Sequence, residues 1–85
     1  MNKIIELAPL SDYFVVVIKD KITGELQGSF TLNESAADIL KLLIEGKNLA
    51  TIAQKLADMY EVPVEIITKD INKLTTILKE KGLVF

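Results

Sequence analysis

The chain changes its hydrophobic rhythm once, from alternation in its first third to a helical period in the remainder. Tyr13-Phe14-Val15-Val16-Val17-Ile18 is a short β-branched apolar run, and Lys19-Asp20-Lys21-Ile22-Thr23-Gly24-Glu25 after it reads as a hairpin turn. Leu26 to Leu32 predicts a further strand. It has Leu26, Phe30 and Leu32 on one face, Gln27, Ser29 and Thr31 on the other, and Gly28 interrupting the inward row. An earlier strand is expected over Ile4 to Leu7, closed by Pro9 and Ser11-Asp12.

From Asn33 onward the punctuation is helical. Asn33 is placed as an N-cap, with Glu34 in the first turn and Leu32 and Ala37 at the positions of a hydrophobic staple. Ala36, Ile39, Leu40 and Leu43 follow at helical spacing until Gly46, a left-handed cap. Asn48 caps a second helix with a core stripe of Leu49, Ile52, Ala53 and Leu56, and Tyr60 near its end. Pro63 opens a third, whose inward stripe is Val64, Ile67, Ile71, Leu74 and Leu78 and which stops at Gly82. Leu83-Val84-Phe85 is an apolar tail expected to fold back onto the core.

This order predicts an α+β fold in one domain over residues 1–85: an N-terminal two- or three-stranded antiparallel sheet, then three helices. Three helices with a small sheet is the inventory of winged helix-turn-helix folds, although here the sheet comes first. The run from Tyr13 to Ile18 is apolar on both faces, whereas a sheet covered on one side should alternate. The expectation is a fully buried central strand, with a homodimer or enzyme interface as the next explanation.

Composition narrows the chemistry. The chain has 85 residues, no Cys and no His, so zinc-thiolate sites, thiolate nucleophiles and imidazole acid-base catalysis are excluded. Net charge is −2, and all ten basic residues are Lys, with no Arg to fork onto a phosphate or a guanine edge. Nucleic acid is a poor partner on these grounds. Glu6 interrupts the N-terminal apolar positions, so neither a signal peptide nor a membrane span is expected and the chain reads as cytoplasmic. Ser35 and Asp38 stand three apart without a general base, and Asp58 with Glu61 falls short of a calcium shell; both pairs read as surface or cap residues. No enzyme and no cofactor is expected.

Several segments in this order resemble one family. Thr31-Leu32-Asn33-Glu34-Ser35-Ala36-Ala37-Asp38-Ile39-Leu40 is similar to its strand ending in Leu-Asn followed by a small-residue turn and an apolar helix. Gly46-Lys47-Asn48-Leu49-Ala50-Thr51-Ile52 and the Leu56 to Val62 segment, with Tyr60, continue the match, and Asp70-Ile71 and Leu78-x-x-x-Gly82-Leu83 complete it. Over roughly residues 26–85 the chain thus resembles the pyrroloquinoline quinone synthesis D family. The resemblance implies a short sheet on three helices. It also implies a peptide chaperone that binds the leader of a ribosomally made precursor and presents it to a modifying enzyme, often a radical S-adenosylmethionine enzyme. The leader would enter as an added strand, in a groove between the third strand and the third helix.

The residues can be weighed against that implication. Leu26, Gln27, Gly28, Ser29, Phe30 and Thr31 form a short candidate edge, where free backbone groups give affinity and alternate side chains give specificity. Gly28 there either lets a second backbone approach or marks a bulge. On the third helix, Ile66, Lys69, Asp70, Lys73 and Ile77 lie beside the core stripe; they form a groove wall, or else widen the stripe next to a solvated charged face. Two other classes stay open: a winged-helix DNA-binding or regulatory module, and a structural dimerisation domain. The first is disfavoured by a third helix holding four Lys against three acids between Val64 and Lys81.

Overall fold

A computed structural model describes residues 3–83. Three strands, β1 (Lys3–Leu10), β2 (Tyr13–Asp20) and β3 (Leu26–Asn33), precede three helices, α1 (Glu34–Ile44), α2 (Leu49–Tyr60) and α3 (Val64–Glu80). The fold is the expected α+β arrangement, with a complete three-stranded antiparallel sheet in the order β1-β2-β3. The chain divides into two compact units, Met1–Ala37 and Asp38–Phe85.

The first unit is a meander of two hairpins. β1 runs longer than the alternation indicated, because Pro9 stays in register opposite Phe14. It can do so on an edge strand, where its missing N–H removes no ladder bond. Ser11, at φ 47°, turns a two-residue loop between the paired Leu10 and Tyr13. The second hairpin is built on Asp20. Its carboxylate accepts from the Ile22 and Thr23 amides at 2.8 and 2.9 Å, and its carbonyl accepts from Gly24 at 2.9 Å. Gly24 takes φ +74°, a conformation that a side chain would strain. The two backbone donors hold the exposed Asp20 carboxyl below its ordinary pKa.

Register decides the faces of the sheet. Val16 and Ile18 are buried, and their partners Leu7, Ile5, Phe30 and Gly28 share that face. The opposite face of β2 holds Val15 and Val17, both half-buried, together with Tyr13 and the Lys19–Glu6 ion pair at 3.2 Å. β2 is therefore central but not buried on both sides, which corrects that expectation. A second correction concerns Leu26. A register shift places Ile18 opposite Gly28 but Lys19 opposite Leu26, so Gln27 is an extra residue. The bulge moves Leu26 off the inward row, and it is 63 % exposed.

In the second unit Ile39, Leu40, Ile52, Leu56 and Leu78 are fully or almost fully buried, with Leu42, Leu43, Ala53, Ala57, Ile67, Ile71 and Leu74 around them. Asn33 Oδ1 accepts from the Ala36 amide at 2.9 Å and Asn48 Oδ1 from the Thr51 amide at 2.8 Å, so both asparagines cap as expected. α1 ends where Gly46, at φ +86°, lets the Gly46 and Lys47 amides reach the Leu43 and Leu42 carbonyls. Leu49 and Val64 were expected in the core stripes and are 49 % and 37 % exposed. Both lie at the right helical angle or close to it but in the first turn, beyond the end of the packed layer. Leu83 is buried, whereas Val84 and Phe85 lie outside the described residues. No helix among the described residues is long and apolar enough to cross a membrane.

Candidate functional site

The sheet has two edges that differ in chemistry. β1 carries Lys3, Glu6 and Pro9, which are the usual guards against a further strand. β3, Leu26-Gln27-Gly28-Ser29-Phe30-Thr31-Leu32-Asn33, has no charge and no proline along eight residues. Since β2 occupies only one side of β3, alternate backbone groups of β3 point away from the sheet. Gly28 is half-buried, and a Cβ built there would meet nothing within 4 Å. The protein's own packing does not require glycine at this position. The bulge lies beside it, at Gln27, while Gly28 itself stays paired with Ile18, so the glycine is not the bulged residue.

On α3 the residues singled out in the sequence share one flank of the helix. Ile66 and Ile77 are 48 % and 37 % exposed, so they do not widen the core stripe, which consists of Ile67, Ile71, Leu74 and Leu78. Lys69 and Lys73 are exposed and Asp70 half-exposed, and none of the three enters an ion pair among the described residues. An exposed flank of two isoleucines around three uncommitted charges offers apolar seats and polar partners together.

Candidate chemistry elsewhere is absorbed by structure. Ser35 Oγ donates to Asn33 Oδ1 at 3.2 Å, within the α1 cap. Asp38 accepts from the Tyr60 hydroxyl, tying the start of α1 to the last residue of α2. Asp58 accepts from Gln54 Nε2 at 2.9 Å. Among the described residues no three acidic side chains gather as metal ligands would.

Sequence reasoning did not single out a further concavity in the helical unit. A cavity of about 560 Å³ is lined by Leu43, Leu49, Leu78 and Leu83, with Lys47 and Lys79 among its polar residues. The signal that could have found it is the first-turn position of Leu49, where a stripe residue overhangs the end of its layer.

The model of the coenzyme PQQ synthesis protein D (PqqD) family matches residues 15–84. Two solved structures are similar over nearly the whole chain. One, described as lasso peptide synthetase B1 complexed with the leader peptide, is 34 % identical with a TM-score of 0.68, covering 95 % of this chain and 89 % of that one. The other, TbiB1 in complex with the TbiA(beta) leader peptide, is 25 % identical with a TM-score of 0.68, covering 93 % and 86 %. No curated protein matches at a significant level. With 70 consecutive positions, 15–84, inside the family model and the strand-then-helix order in place, the chain belongs to the PqqD family.

Proposed function

We propose that this domain binds the leader of a ribosomally synthesised precursor peptide by strand addition and presents it to a modifying enzyme without itself catalysing a reaction. The observation that carries the reading is the uncharged, proline-free β3 edge, in contrast to the guarded β1 edge of the same sheet. The two similar structures are complexes with leader peptides, which supports the same reading. Main-chain bonds along Leu26 to Thr31 supply affinity. The Ile66, Lys69, Asp70, Lys73 and Ile77 flank supplies side-chain selectivity, with leader aliphatics on the isoleucines and leader charges on the lysines and Asp70.

The partner enzyme is the second half of the proposal. A radical S-adenosylmethionine enzyme is the class that the family resemblance implies, and the domain's own lack of His and Cys leaves the chemistry to that partner. Titration of the ¹⁵N-labelled domain with leaders from the same gene neighbourhood is the test. Amide shifts are expected at residues 26–31 and 66–77. If no neighbouring leader moves them, the domain is not a leader receptor.

A further inference from the structure

α3 presents two flanks beside its core stripe. At roughly 100° per residue, Asn72, Thr75 and Lys79 lie about 140° around the axis from the flank that holds Ile66 and Ile77. These three residues form one wall of the 560 Å³ cavity. Opposite them stand the end of α1 and the start of α2, through Leu43, Lys47 and Leu49.

The lining is apolar in its body and of one sign at its polar positions. Leu43, Leu78 and Leu83 are buried and Leu49 is half-exposed. Asn48 Oδ1 is used in capping α2, and Thr75 Oγ1 donates to the Asn72 carbonyl at 3.0 Å. The charges left are Lys47 and Lys79. Among the described residues no carboxylate lines the cavity and neither lysine is paired.

We infer that this cavity is a docking seat for a polypeptide segment of the modifying partner in which aliphatic side chains alternate with carboxylates. The aliphatic groups enter between the leucines and the carboxylates meet Lys47 and Lys79. The volume exceeds one side chain and suits two or three, with the segment's backbone remaining outside. The inference rests on the reading that the domain hands its peptide to a second protein. Because this seat and the proposed leader flank lie on different sides of α3, both ligands can be held at once.

The test uses the full chain and two probes, Ac-Leu-Asp-Leu-Glu-NH2 and its neutral counterpart Ac-Leu-Asn-Leu-Gln-NH2, followed by amide shifts. The acidic probe is expected to move Gly46, Leu49, Thr75 and Lys79, to leave residues 26–31 in place, and to weaken as salt rises. The neutral probe should bind several-fold less well. The double variant K47E/K79E, on exposed positions, should lose at least about fivefold in affinity for the acidic probe. It should also weaken capture of the modifying enzyme while leaving leader affinity unchanged. Equal shifts with both probes, or none, overturn the inference. Binding of phosphatidylglycerol vesicles in place of the peptide overturns it, as does a dimer that K47E/K79E dissociates. A leader that fails to bind while the acidic probe binds the cavity counts against the proposed function alone.

Discussion

The Tyr60 hydroxyl donates to the Asp38 carboxylate, joining the last residue of α2 to the first full turn of α1. Both side chains are only partly exposed, so removing the donor leaves a carboxylate that water satisfies incompletely. The tyrosine of the Leu-x-x-x-Tyr-x-Val segment is thereby given a structural task. Tyr60→Phe is expected to cost about 1–2 kcal/mol in urea unfolding, and Asp38→Ala a similar amount. A Tyr60→Phe domain that unfolds at the wild-type midpoint would show the bond to be energetically idle.

Burial separates two leucines that look equivalent in sequence. Leu56 is fully buried, and Leu56→Ala should cost about 2–5 kcal/mol through lost transfer energy and the cavity left behind. Leu49, on the same stripe but at the cavity mouth, should cost less than about 1 kcal/mol on the same change. Equal losses in paired denaturation curves would place Leu49 in the core after all.

Asp20 makes the second hairpin sensitive to acid. Its folded pKa is depressed chiefly by the Thr23 and then the Ile22 amide bonds, so its contribution is fully present above the ordinary value of 3.8. That contribution is lost as pH falls through the lower folded value. The Ile22 and Thr23 amide shifts should report this titration, and Asp20→Asn, which keeps an acceptor oxygen, should abolish it while preserving the turn. A midpoint at or above 3.8 would contradict the observed geometry.

The β3 edge can be blocked without touching the helices. Because alternate amides of β3 point away from β2, one of Gly28→Pro and Ser29→Pro removes an outward donor, and the other breaks a ladder bond. The variant that keeps its melting temperature is the outward one, and its leader Kd should rise at least about tenfold, the equivalent of about 1.4 kcal/mol. Unchanged affinity in that variant would exclude strand addition.

Charge on the α3 flank should act on binding and not on folding. Lys69→Glu with Lys73→Glu changes two exposed side chains that have no ion partner among the described residues, so stability should move by less than about 1 kcal/mol. Leader affinity should change several-fold and lose part of its salt dependence. Calorimetry at two salt concentrations checks both, and an unaltered Kd would remove this flank from the site.

Local physics in the chain determined the elements and their order. Asn33 and Asn48 announce helix starts because their side chains satisfy orphan amides wherever they sit, and Gly24, Gly46 and Gly82 mark positive φ for reasons internal to the backbone. The stripe of Ile67, Ile71, Leu74 and Leu78 followed from helical period alone. Tertiary structure decided what depends on neighbours. Only pairing to β2 could show that Gln27 bulges and turns Leu26 outward, since one extra residue inverts the alternation. Only the packed helices could show that Leu49 overhangs its layer and, with Lys47 and Lys79, lines a cavity. Period states which way a side chain points, whereas the end of a layer depends on chain far away in sequence.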